Sequence, residues 1–184
     1  MKLKSNCYNK LRQIARMKTF LTIKQLTILV QSVIGSLLDY CNALYYGCCK
    51  SILSQLQSIQ NRACRIIYGL KKRDSVEEKL KELHWLKIRE RIEFKLLLLV
   101  FKSLHGLAPS YLGEVLQFNN TSGRRASALH IPLTTGQSSR AFQYVGPKLW
   151  QALPSEIRCI DNVEIFKRCL KTYLFKKSYG LTNY

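Results

Sequence analysis

Apolar and polar positions alternate along this chain with a helical period through most of its length. Between Cys49 and Gly69, Ile52, Leu56, Ile59, Ala63 and Ile66 recur at spacings of four and three and form one apolar stripe. Gln55, Ser58, Arg62 and Arg65 follow the same rhythm on a polar flank. The spacing predicts one helix over 49–69 that packs on one side, with Gly69 in the left-handed position that ends it. Residues 22–47 are more apolar and predict a buried helix, capped by Thr22 and interrupted near Gly35 or Asp39. Residues 3–20 set Leu3, Leu11 and Ile14 among lysines and arginines and read as a basic helix.

Residues 87–105 are the strongest core-helix candidate. Around Leu96–Phe101 apolar side chains cover almost every direction and leave a narrow stripe of Arg91, Lys95 and Lys102 for solvent or phosphate. Gly106 stops this helix, and Pro109 opens a short one that runs through Leu116. Two capping signatures mark further starts: Ser75 with Glu78, ahead of Val76, Leu80 and Leu83, and Asp161 with Glu164, ahead of Val163, Phe166, Leu170 and Tyr173.

Between Gln117 and Gln143 the periodicity gives way to Asn, Thr, Ser and Gly around Arg124 and Arg125, which predicts a basic loop with a short extended segment over 129–133. Order returns at Phe142, where Phe142 and Trp150 read as anchors for the tail. The fold expected is mainly α, a compact helical bundle with a looser C-terminal tail ending in an amphipathic helix. Its parts are a basic N-terminal helix over 1–20, the bundle core over 21–116, the loop over 117–143 and the docked tail over 144–184.

Composition adds the first functional constraint. The 184 residues carry 30 Lys and Arg against 11 Asp and Glu, a formal charge of +19. That is far beyond what solubility needs and points to a polyanionic partner, RNA or DNA before an anionic membrane surface. The longest apolar run, Leu96–Phe101, is too short to span a bilayer. The basic N-terminus has no apolar run followed by a small-residue cleavage site, so an intracellular location, nucleus or cytoplasm, is expected. Seven cysteines at irregular spacing argue against a disulfide framework. Cys41, Cys48 and Cys49 cluster without a histidine nearby, so small buried hydrophobes are the better reading than zinc ligands.

The candidate phosphate contacts are Arg62 and Arg65 on the helix flank, Lys71, Lys72 and Arg73 in the turn after Gly69, Arg124 and Arg125 in the loop, and Arg140 and Lys148 among the aromatics of the tail. Each has a plainer reading as a solvated edge, a hydrated loop or a docking segment. Catalysis has less to stand on. Two-metal nucleotidyl transfer needs clustered carboxylates, whereas Asp39, Asp74 and Asp161 are the only aspartates and each stands alone. Asp39, among apolar neighbours, is expected to make a structural hydrogen bond. There is no phosphate-cradling glycine loop, GxSxG elbow or HExxH helix, and no cofactor is expected.

Four segments in order, LLDYCNALYYG from Leu37, LQSIQNRACRIIYG from Leu56, LKELHWLKIRERIEFKLLLLVFKSLHGLAPSYL from Leu80 and RAFQYVGPKLWQALPSEI from Arg140, resemble the C-terminal part of LINE-type retrotransposon reverse transcriptases, those of jockey-like and related animal elements without long terminal repeats. The resemblance covers nearly the whole chain. It implies a thumb or post-thumb region, downstream of the polymerase palm of an RNA-directed DNA polymerase, that helps hold template RNA, primer or target DNA. It does not imply that this chain polymerises DNA. Partners implied are RNA or DNA and the upstream polymerase region of the same parent protein. The competing readings are a stand-alone helical interaction module, a truncated element copy without activity, and a basic membrane-surface protein.

Overall fold

The structure, a computed structural model, describes residues 2–116, 129–132 and 140–181. It is mainly α, with no strand among the described residues; Leu129 carries only an isolated bridge. The helices are α1 (Lys2–Met17), α2 (Ile23–Val30), α3 (Ser36–Asp39), α4 (Lys50–Tyr68), α5 (Glu77–Glu82), α6 (Ile88–Leu104), α7 (Ser110–Glu114), α8 (Phe142–Gln151), α9 (Ser155–Arg158) and α10 (Val163–Tyr179). The chain divides into two compact units, Met1–Ile92 with Ser178–Tyr184, and Glu93–Lys177. The division falls within α6 and α10.

In the first unit the expected interruption of the second helix is a π-helical turn over Gln31–Gly35 that joins α2 to α3. Thr22 caps α2 as its position predicts: its Oγ1 accepts from the Gln25 N–H, and the Gln25 side chain accepts from the Thr22 N–H, which satisfies two orphan donors at once. α4 ends at Gly69, whose φ of +70° is the left-handed conformation that a Cβ would strain. Cys7, Leu11 and Ile14 of α1 are buried with Leu26 and Val30 of α2 and with Leu56, Ile59, Ala63 and Ile67 of α4. α1 is therefore part of this core as well as basic.

The turn that leads into α6 is held by side chains. Gln60 Nε2 donates to the Leu86 carbonyl at 2.8 Å, the Ile88 N–H donates to Gln57 Oε1 at 2.9 Å, and the Tyr179 hydroxyl donates to the Trp85 carbonyl at 2.7 Å. Backbone polar groups buried without such partners would each cost about 1–3 kcal/mol. Burial raises the Tyr179 phenol above its usual range, with the charges of Glu77 and Glu90 adding to it.

The second unit is centred on Phe101 and Phe166, both fully buried and stacked with ring centroids 4.2 Å apart, with Trp150 tilted against Phe166 at 5.8 Å. Gly146 lets α8 come close: a methyl group there would stand 2.9 Å from Val100 Cγ2. Trp150 is an anchor, whereas Phe142 is only half-buried. Glu93, buried to 4 % exposure, receives Lys177 Nζ at 3.0 Å.

Several local expectations are corrected. Ser75 and Glu78 make no capping box; α5 starts after Val76, Ser75 Oγ accepts from the Glu77 N–H at 3.4 Å, and Glu78 instead pairs with Lys81 at 2.9 Å. At α10 the cap is Asn162, whose Oδ1 accepts from the N–H groups of Glu164 and Ile165; Asp161 sits 3.7 Å from His105 Nε2. Asp39 does make a structural bond, an ion pair with Arg91 supported by Asn42 Nδ2 at 3.3 Å, so Arg91 is not left to solvent. Of the cysteines, Cys7 and Cys64 are buried, while Cys41, Cys49 and Cys159 are exposed. The loop expected over 117–143 lies largely outside the described residues.

Candidate nucleic-acid interface

The cations of the first unit are segregated by helix. No aspartate or glutamate occurs before Asp39, and α4 contains none, so α1 and α4 carry Lys4, Lys10, Arg12, Arg16, Lys50, Arg62 and Arg65 without one carboxylate of their own. α5 is the opposite case. Glu77, Glu78 and Glu82 are each matched by a lysine, at 2.8 Å to Lys87, 2.9 Å to Lys81 and 2.6 Å to Lys79. The hydrogen bond from Lys87 holds the Glu77 carboxyl below its usual range.

α1 and α4 run side by side in the same direction. Leu3 and Lys4 border the same cavity as Ile52, Gln55 and Ile59; further along, Tyr8 Oη and Ser58 Oγ are 3.0 Å apart; at the far end a methyl group built at Gly69 would stand 2.5 Å from Lys18 Nζ. Their C-terminal ends consequently coincide, and with them Arg16, Lys18, Arg65 and the turn Lys71, Lys72 and Arg73. Two helix C-termini supply roughly half a negative charge each, about one in total. Cations gathered there exceed that several-fold, so neutralising the two dipoles accounts for only a fraction of them.

Within this end the side chains differ. Arg62 and the three residues of the turn are exposed. Arg65 is half-buried and fastens the turn: its Nη2 donates to the Asp74 carbonyl at 3.2 Å, while the Asp74 carboxylate accepts from the Lys71 N–H at 2.7 Å. Beside it Cys64 is buried, and burial pushes its thiol up to about 11 despite the Arg65 charge.

The structure thus brings Arg62, Arg65, Lys71, Lys72 and Arg73 to one end of α4. Arg140 and Lys148 belong to the second unit, at the start and on the exposed side of α8, where Lys148 Nζ lies 5.5 Å from the centroid of the Tyr144 ring. Arg124 and Arg125 lie outside the described residues. Sequence reasoning left Arg12, Arg16 and Lys18, the cations of α1 and of the turn after it, out of the candidate contacts. The signal that would have found them is the lack of any carboxylate on two helices at once.

Among the described residues no three His, Cys, Asp or Glu side chains gather as a metal centre would require, and no helix is long and apolar enough to cross a membrane. No family model, no curated protein and no solved structure matches this chain.

Proposed function

We propose that this chain is a non-catalytic nucleic-acid-binding region that grips phosphate through the face formed by α1 and α4. The observation that carries the reading is the parallel pairing of two carboxylate-free basic helices with their cationic ends together. Condensed counterions released from the nucleic acid drive binding to such a surface. Recognition is of backbone rather than sequence, because arginine and lysine contacts to phosphate position a protein without reading bases. The four segments that resemble LINE-type reverse transcriptases support a more specific origin, the C-terminal region downstream of the polymerase, acting on template RNA or target DNA in the nucleus or cytoplasm. The lone aspartates support a part that holds nucleic acid rather than one that extends it.

Anisotropy of a labelled duplex and a labelled RNA strand, titrated with the protein at increasing salt, tests the binding. Affinity falling steeply and linearly in log–log form is expected, and a flat response refutes it. Translating the transcript in frame upstream of Met1 tests the origin, where an adjacent aspartate pair is expected.

A second reading, a helical protein-interaction module, is favoured by one observation. Phe20, in the turn ahead of α2, and Ile23 and Ile28 of α2 are 85 %, 57 % and 62 % exposed. Under that reading the partner is a protein, and the complex survives salt that strips nucleic acid.

A further inference from the structure

The first unit holds a cavity of about 240 Å³ at the opposite end of α4 from the cationic cluster. Tyr45 and Tyr46 line it together with Leu53 of α4 and Ile92 of α6, and Arg89 of α6 is in its wall. We propose that this cavity receives one unpaired nucleotide of a single strand, the base against the tyrosines and its phosphate on Arg89. The inference rests on the nucleic-acid reading above and deepens it, from phosphate backbone in general to single strands in particular.

Three features support that ligand class. Pockets for drug-sized molecules run from about 300 to 1,000 Å³, so this smaller cavity suits one planar ring system. Paired aromatics beside an arginine are the chemistry that proteins use for splayed-out bases, since every base offers a face for stacking and a phosphate for the cation. The wall is also preorganised. Tyr45 ends a 3-10 turn over Asn42–Tyr45, entered through Cys41 at φ +49° and left through Gly47 at φ +70°. Its first residue, Asn42, is buried and donates to Asp39, which Arg91 of α6 grips from the same helix that supplies Arg89 and Ile92. The tyrosines are thus tied to the arginine they would work with.

The distance to the cationic cluster sets the probe. Leu53 and Gly69 are 16 residues apart, about 24 Å along a helix axis, or roughly seven nucleotides at 3.4 Å each. A ten-nucleotide strand therefore reaches both sites.

The experiment uses a ten-nucleotide single strand carrying 2-aminopurine and the same strand in a duplex, titrated against the full chain and against Tyr46→Leu. Expected are tighter binding of the single strand than of the duplex and quenching of 2-aminopurine in the single strand only. Tyr46→Leu then costs roughly tenfold in single-strand affinity and the quench, with duplex affinity unchanged. Should Tyr46→Leu lower the melting temperature, Arg89→Gln carries the same comparison. Equal affinity for strand and duplex, unaltered by either variant, overturns the cavity inference and leaves phosphate binding standing. Failure of both probes to bind at low salt overturns both.

Discussion

Removing Arg12, Arg16 and Arg62 together is the sharpest perturbation of the proposed interface. All three are exposed, and none makes an ion pair with another of the described residues, so their replacement by alanine leaves the core intact. Arg12 and Arg16 are one helical turn apart, about 6 Å along the axis, and Arg62 lies on the adjoining helix. With Lys71, Lys72 and Arg73 they make six exposed cations, and six phosphate contacts give a log–log salt slope of about −5.4 on duplex DNA. Raising salt from about 50 to 200 mM should therefore weaken the unmodified protein on the order of 10³-fold. With three contacts left the slope falls to about −2.7, and the same change in salt costs only about 40-fold. Anisotropy of a labelled duplex across that range, with circular dichroism as a check on folding, reads both slopes. Identical slopes for the two proteins would refute the argument, whatever their absolute affinities, because slope counts contacts and affinity does not.

Three further outcomes follow from the packing. Arg91→Ala leaves Asp39 without its guanidinium in a partly buried site and should lower the urea midpoint by the equivalent of about 2 kcal/mol, between the values for exposed and buried pairs. Arg91→Lys should not restore it, since a single ammonium cannot reproduce the two-point contact. Phe166→Ala removes a fully buried ring stacked on Phe101 and should cost about 3–5 kcal/mol, read from the loss of the Trp150 fluorescence transition; a cost under about 1 kcal/mol would contradict the packing described. Finally, Cys64 titrates near 11 when folded against 9.0 for an ordinary thiol, so the folded state holds the proton more tightly. Its contribution, on the order of 3 kcal/mol, is complete below about pH 9 and is lost as pH rises through about 11. The raised Tyr179 phenol acts in the same direction at still higher pH. Thermal melts between pH 8 and 11 should show this loss, and Cys64→Ala should flatten its first part.

Much of the helical framework is legible in sequence because periodicity and terminal chemistry are local. The stripe from Leu56 to Ile66, though not Ile52 ahead of it, which is exposed, the Gly69 terminus, the Thr22 cap and the break near Gly35 all depend on residues within a turn or two of one another. The two capping signatures that failed show the limit of that logic. Ser75 and Asp161 have the right residue types, but Asn162, one position on, already satisfies the α10 donors, and Glu78 finds a lysine instead. Long-range pairings are illegible for a different reason. Nothing local marks Arg91, placed on a solvent stripe by its own helix, as the partner of a carboxylate 52 residues away. The candidate site divides the same way: Arg62 and Arg65 are visible as a flank of one helix, whereas the approach of Lys18 to Gly69 at the end of that helix depends on α1 and α4 running parallel. Tyr45 and Tyr46 read as ordinary apolar residues until the fold brings Arg89 beside them.

The hydrogen bond from Tyr179 to the Trp85 carbonyl also bears on the order in which the protein is made. The two residues are 94 positions apart, and both belong to the first unit. A ribosome adding about 5–20 residues per second needs roughly 5–20 s to travel from one to the other. Throughout that interval the N-terminal unit has emerged without the phenol that satisfies its buried carbonyl, while the unit between is still being synthesised. The part of the chain translated first is thus the part completed last, and a premature stop after residue 177 would leave its damage at the opposite end of the sequence, in the unit that carries the basic helices.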